Sequence, residues 1–264
     1  MKMRNCLIVF LSLGILFLSV SIQAQQTDVF RIDRKKEIFL MGGGVSLFAV
    51  GSYLICHMNP PDQVKLDKDR IFYLDRFAVN FSHKESALFS DITCGLCAGL
   101  PIISLFSSQN REPVLHDIVM YVESVFYIHG LTFLSKTIFK RPRPYAYCLS
   151  ESQNQHLDVD AVRSFFSGHT AVAFNGVVFA ATVFQESNPH SPLIKPIWIL
   201  GMSAATATAI FRVTSGNHFP TDVFAGALVG SCTGWIIPHL HNENDPHQRL
   251  SVILGNRIGI CYQL

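Results

Sequence analysis

Past residue 37 the chain alternates long apolar stretches with shorter polar ones. Six stretches, near residues 38–57, 86–107, 114–135, 170–187, 193–212 and 220–240, have the length of a bilayer-crossing helix, which takes about 20 residues. A spanning segment must satisfy its backbone hydrogen bonds internally. The pattern therefore predicts an all-α, polytopic membrane helix bundle with about six transmembrane helices. The third, fourth and fifth stretches carry few charges. The sixth is rich in small residues (Gly226, Ala227, Gly230, Gly234) and the fourth in Ala, Gly and Val, compositions that let helix backbones approach closely in lipid. The polar connections 58–85, 136–168 and 213–219 are separated by even numbers of crossings, so all three emerge on one side.

Composition agrees with a lipid setting. The chain is 264 residues long, 49% hydrophobic and only 15% charged, where soluble domains carry about 25% charged residues. A net charge of +2 is too small for a broad nucleic-acid surface. The sequence contains no Gly-rich mononucleotide loop, zinc-type spacing or internal repeat. At the N-terminus, Lys2 and Arg4 precede the apolar run Cys6 to Val20 and the polar Ser21-Ile22-Gln23-Ala24-Gln25. Residues 1–24 are thus expected to be a signal peptide cleaved near Ala24, or an N-terminal anchor. The tail 241–264, with Gly255-Asn256 between two apolar runs, is a candidate hairpin or a loose tail.

Three polar clusters border the apolar stretches of the second half. In the first, Lys136-x6-Arg143-Pro144, Pro142 and Pro144 stiffen the backbone around Arg143, whose planar fork suits a phosphate. The alternative is a basic membrane-flanking segment. In the second, Ser167-Gly168-His169 opens the fourth helix, where free N–H groups and the helix dipole favour an anion. There Gly168 permits close approach, Ser167 adds a hydroxyl, and His169 can protonate a leaving oxygen. An ordinary N-cap gives the same local sequence. In the third, Arg212-x5-His218-x3-Asp222, Pro220 suits the first turn of the sixth helix. Asp222, one turn past His218, can accept its Nδ1–H and leave Nε2 free to attack. A structural His–Asp hydrogen bond is the plain alternative.

In order and spacing these clusters resemble the type 2 phosphatidic acid phosphatase family, whose pattern is Lys-x6-Arg-Pro, Pro-Ser-Gly-His and Ser-Arg-x5-His-x3-Asp. The matched residues are Lys136, Arg143 and Pro144, then Ser167, Gly168 and His169, then Arg212, His218 and Asp222. Phe166 stands where the family has Pro, and Phe211 where it has Ser. Both flank the chemical residues, so these departures bear on substrate fit more than on the reaction. The resemblance implies a helical core shared with vanadium haloperoxidases, a phosphatase domain over 25–240 and a catalytic core over 115–240. It implies that Lys136, Arg143, Arg212, Ser167 and Gly168 bind the phosphoryl group. His218 would attack phosphorus, Asp222 would orient it, and His169 would protonate the leaving group and then activate water. No metal or other cofactor is expected, because three cations do the charge work.

The implied activity is metal-independent hydrolysis of a membrane lipid phosphate: lipid A phosphate, undecaprenyl diphosphate or phosphatidylglycerophosphate. A non-catalytic bundle that binds or transports a lipid phosphate is the alternative, and a haloperoxidase is disfavoured by the apolar composition. Expected partners are the lipid substrate and the bilayer, with no nucleic acid and no obligatory protein partner. Asp91, Glu123 and His129 fall inside predicted helices and are functional suspects on that ground, against a role in interhelical bonding. Cys94 and Cys97 are expected to pack as small residues. Location in a bacterial inner membrane with a periplasm-facing site is expected, although a cleaved signal followed by six crossings would place the site in the cytoplasm.

Overall fold

The computed structural model describes residues 29–59, 66–107, 111–148, 157–242, 250–254 and 258–262. Six long helices form where the hydropathy pattern predicts them: α1 (Arg34–Cys56), α2 (Lys84–Ser107), α3 (Arg111–Phe139), α4 (Gly168–Ser187), α5 (Ile194–Thr214) and α6 (Pro220–His241). The chain is a helical membrane bundle. A short antiparallel hairpin follows it, β1 (Leu250–Leu254) with β2 (Ile258–Tyr262), in the register Leu250↔Tyr262 to Leu254↔Ile258. The expected signal or anchor at 1–24 lies outside the described residues.

The arrangement of the helices follows from their compositions. In α4 every residue from Ala173 to Val183 is buried, as expected of a helix that is apolar or small all round. It runs through the middle of the bundle, with α2, α3, α5 and α6 around it, while α1 packs outside α3. Among the described residues, four helices, α1, α3, α5 and α6, lie in stretches long and apolar enough by themselves to cross a membrane. In α4, polar Asn175 and Thr182 are buried among helices, where Asn175 donates to Ser124 Oγ at 2.5 Å. Apolar side chains such as Phe39, Leu96, Ile199, Leu200, Phe224 and Trp235 stand exposed on the outer helices. A soluble monomer rarely presents so much apolar surface; here lipid covers it.

The most extensive helix contact is that of α4 with α6. Gly226, Gly230 and Gly234 recur every four residues on one face of α6. A Cβ on Gly226 would lie 2.5 Å from Ser167 O, and one on Gly234 would lie 2.6 Å from Asn175 O. One on Gly230 would press still closer to Ala171 O. The α6 backbone therefore rests directly on that of α4, fixing both register and separation. The same register brings Ser167 N to Asp222 O, at 3.1 Å. Polar connections also converge as helix parity predicts. Thr221 N, at the start of α6, donates to Asp75 Oδ1 of the first connection at 3.0 Å, and Arg163 Nη2, in the second, donates to Ile55 O at the end of α1 at 2.6 Å.

Replacing Gly230 with Val should force α4 and α6 apart and destabilise the bundle by about 1–3 kcal/mol, the usual cost of overpacking. Gly95→Ala, where an added Cβ meets nothing within 4 Å, should be neutral or slightly stabilising. Thermal unfolding of the two variants in detergent checks both.

Candidate active site

The site lies at the end of the bundle where α3 and α5 finish and α4 and α6 begin. Lys136 sits in the last turn of α3 and Arg212 in the last turn of α5. The chain turns from α5 to α6 through Gly216, which has a φ of 72°. A Cβ there would stand 2.5 Å from Phe81 O, so both conformation and space suit only glycine. That turn delivers His218 to the site, and its N–H donates to Arg212 O at 3.2 Å.

All three predicted cations and both histidines come together here. Arg143 is buried and donates through Nε to Asp160 O (2.9 Å), through Nη2 to Asp160 Oδ1 (2.9 Å) and through Nη1 to Asn217 Oδ1 (3.1 Å). Arg212, also buried, donates through Nη1 to Ser90 Oγ (3.1 Å) and reaches Asp91 Oδ1 at 3.4 Å. Its Nε is buried without a hydrogen-bond partner among the described residues. His169 Nε2 lies 3.1 Å from the same Asp91 oxygen, so Asp91 bridges His169 and Arg212. Lys136 is within electrostatic reach of Arg143, Arg212 and His169.

Ser167 caps α4: its Oγ accepts Thr170 N at 3.4 Å and Thr170 Oγ1 at 2.9 Å, and the residue is fully buried. Its hydroxyl oxygen thus fills the ordinary N-cap role. Gly168 sits against Thr132, with Cγ2 3.0 Å from where a Cβ would be. The residues just before the cap are held from α3, where Ser135 Oγ donates to Phe165 O at 3.2 Å and accepts Phe166 N at 3.3 Å. Phe166 packs in the core with Ile128 and Ala171, so its side chain does not shape the polar end.

Asp222 is fully buried and closely held. Its Oδ2 accepts Ser164 Oγ at 2.5 Å and Phe219 N at 2.9 Å. Its Oδ1 pairs with Arg141 Nη1 at 2.5 Å. His218 Nδ1 stands 3.8 Å from Asp222 Oδ2, an ion-pair distance beyond hydrogen-bond reach. The expected Nδ1–H bond to Asp222 is therefore not formed, and Nδ1 has no hydrogen-bond partner among the described residues. Burial pushes the His218 imidazole well below its ordinary range, with Asp222 opposing and Arg143 and Arg212 reinforcing the shift. At neutral pH it is uncharged, with a lone pair available for attack.

Two residues that motif spacing does not mark matter to this geometry. Arg141, inside the x6 gap of the first cluster, joins Asp222 to Asp75, with Nη2 2.7 Å from Asp75 Oδ2, and stacks 4.4 Å over the Phe219 ring. Asp75, fully buried, also accepts Thr221 Oγ1 at 2.6 Å. A run of alternating charge in the 58–85 connection hides Asp75, because its partners lie 66 and 146 positions away. Of the helix suspects, Asp91 enters the site. His129 does not: its Nδ1 bonds to Val125 O at 2.9 Å and its ring packs on Phe48 and Phe133. Glu123 lies at the other end of the bundle. Cys94 and Cys97 are buried and free.

Arg141→Gln leaves two buried carboxylates without their counter-charge and should cost about 3–5 kcal/mol of stability. Adding Asp75→Asn should recover part of that loss, so the two costs will not add. Melting curves for the two single variants and the double variant test this; strict additivity would show that the pair is not coupled.

Known proteins resemble the chain. A family model described as the PAP2 superfamily matches residues 117–246, a range that holds all three clusters. A segment of 78 residues, 29% of this chain, is 37% identical to the lipid A 1-phosphatase of Porphyromonas gingivalis. The match spans only 16% of that relative's length. The crystal structure of a transmembrane PAP2 type phosphatidylglycerolphosphate phosphatase from Bacillus subtilis aligns over 90% of this chain and 97% of that one, with 16% identity and a TM-score of 0.45.

Proposed function

We propose that the chain, whose residues 117–246 match the PAP2 superfamily, is a membrane-bound lipid phosphate phosphatase of that superfamily working through a phosphohistidine intermediate. One observation carries this reading. Three cationic side chains and two imidazoles meet at one end of the bundle, and the buried Arg212 Nε lacks, among the described residues, an acceptor that a phosphoryl oxygen would supply. Lys136, Arg143 and Arg212 hold the phosphoryl oxygens and neutralise the charge spread over them in the transition state. The N-terminus of α4, with Gly168, adds backbone N–H groups and the helix dipole, and Ser167 orders that terminus.

His218 Nε2 attacks phosphorus as the bond to the leaving oxygen breaks, and His169 supplies the proton that oxygen needs. Asp222 closes on Nδ1 and stabilises the charge that develops on the ring. His169 then takes a proton from water, the water oxygen attacks phosphorus, and the P–N bond breaks to regenerate His218. Asp91, bridging His169 and Arg212, orients the imidazole until substrate arrives. The charge work is done by side chains, so the reaction at this site needs no metal.

Among substrates, lipid A phosphate is favoured by the similarity to a lipid A 1-phosphatase, with undecaprenyl diphosphate and phosphatidylglycerophosphate beside it. In this reading the site faces the periplasm from a bacterial inner membrane. The segment before α1 pairs with the end of α6 through Phe30 and Asn242, which puts Arg31, Arg34, Lys35 and Lys36 at the end of the bundle opposite the site. The positive-inside rule keeps such a cluster in the cytoplasm.

Phosphate release from a panel of these lipids by the detergent-purified protein tests the reading. Wild type should turn over at least one lipid, His218→Ala none, and Arg143→Ala or Arg212→Ala should lose about 10²–10³ in kcat. Lipid binding without release in the wild type would favour a binding or transport bundle. For sidedness, in a variant with Cys56 replaced by Ser, a membrane-impermeant maleimide should label the exposed Cys148 on cells with a permeabilised outer membrane, and the further change Cys148→Ser should lose that signal. Labelling that appears only after the inner membrane is opened would put the site in the cytoplasm.

A further inference from the structure

A second polar cluster lies at the other end of the bundle. Glu37 of α1, Glu123 of α3 and His241 of α6 place their donor atoms within 4.8 Å of one another. His241 Nε2 is 2.6 Å from Glu37 Oε1 and 3.6 Å from Glu123 Oε2. The Glu123 and His241 side chains have no exposed surface, and that of Glu37 is 14% exposed. Both carboxylate oxygens of Glu123 and Oε2 of Glu37 have no hydrogen-bond partner among the described residues. Lys36 lies within electrostatic reach of both glutamates without bonding to these oxygens, and the nearby Tyr127 spends its hydroxyl proton on Leu40 O at 2.9 Å. Buried carboxylate oxygens without partners are costly and call for an explanation.

We propose that Glu37, Glu123 and His241 bind one divalent transition-metal ion. The imidazole is already set for it. Nδ1 faces Ile237 O at 2.8 Å, and a carbonyl that takes the Nδ1 proton leaves Nε2 to coordinate, the usual arrangement behind a metal-bound histidine. Two carboxylates and a neutral imidazole carry a charge of −2, which a divalent ion cancels inside a bundle where unbalanced charge is expensive. Carboxylate and imidazole ligands at about 2.0–2.2 Å suit Zn²⁺ or Mn²⁺ better than a thiophilic ion. Binding displaces the proton now shared by Glu37 and His241 and moves those two atoms slightly apart.

The ion would tie together α1, α3 and α6. It would also anchor the segment before α1, because Arg31 N donates to His241 O at 2.8 Å. Glu123 precedes Lys136 by 13 residues, about 20 Å along α3, so the metal takes no part in the chemistry at the other end.

The test uses the full chain without a polyhistidine tag, purified in detergent. Mass-spectrometric metal analysis should find about one Zn²⁺ or Mn²⁺ per chain. Chelator-stripped wild type should bind either ion with a stoichiometry near one, and its melting temperature should rise on addition. Glu123→Gln and His241→Gln should weaken binding by at least about tenfold and lose the thermal shift, whereas His218→Ala and Asp222→Asn should keep both. Stripped wild type that neither binds nor is stabilised by Zn²⁺ or Mn²⁺ overturns the proposal, a measurement that holds even if the variants fail to fold. So does metal retained by Glu123→Gln but lost by His218→Ala, which would place the ion at the catalytic end.

Discussion

Everything at the polar end depends on the close contact between the α4 and α6 backbones. Gly226, Gly230 and Gly234 let α6 lie on the carbonyls of Ser167, Ala171 and Asn175. Between helices in lipid there is little hydrophobic drive to associate, and packing of this kind supplies the attraction. The contact also sets register: with Gly226 against Ser167, Asp222 falls one turn earlier, beside Ser164 and Ser167 N. The two helix starts, one carrying His169 and the other Asp222 behind His218, are thereby brought to the same place. A bulkier residue in the spine would disturb the chemistry without touching it.

Around that contact the protein builds two layers of charge with different purposes. The inner layer, Asp75 with Arg141 and Asp222, is paired and fixed by its buried carboxylates, and it holds the one that orients His218 in the proposed mechanism. The outer layer, Lys136, Arg143 and Arg212 with Asp91 and Asp160, is partly open, and its carboxylates occupy positions next to the cations that a phosphate would neutralise. His218 lies between the layers, buried deeply enough to stay uncharged. An imidazolium in its position would repel the arginines and could not make the proposed attack; a neutral ring avoids both problems.

Much of this is legible along the chain because it is local. Helix positions follow from apolar runs, and the central place of α4 follows from its Ala, Gly and Val content. The clusters ending at Arg143, opening at Ser167 and closing at Asp222 are short-range patterns at helix ends, and helix parity puts them on one face. What stays hidden is long-range. Asp75 meets Thr221 across 146 positions, and Glu37 meets His241 across 204, with nothing nearby in either sequence to mark the pairing. The place of Phe166 beside the second cluster suggests a part in substrate fit, yet its ring is turned into the core against Ile128 and Ala171. The direction of a side chain is set by packing, which spacing does not encode.

The central claim is that His218 carries the phosphoryl group during turnover. It is tested most directly by mixing wild-type protein with a ³²P-labelled lipid phosphate, quenching within one turnover and identifying the labelled residue. The expected product is an acid-labile, alkali-stable phosphohistidine at His218. Label on any other residue, or turnover through this site with no trapped phosphoprotein and full activity in His218→Ala, would contradict the claim.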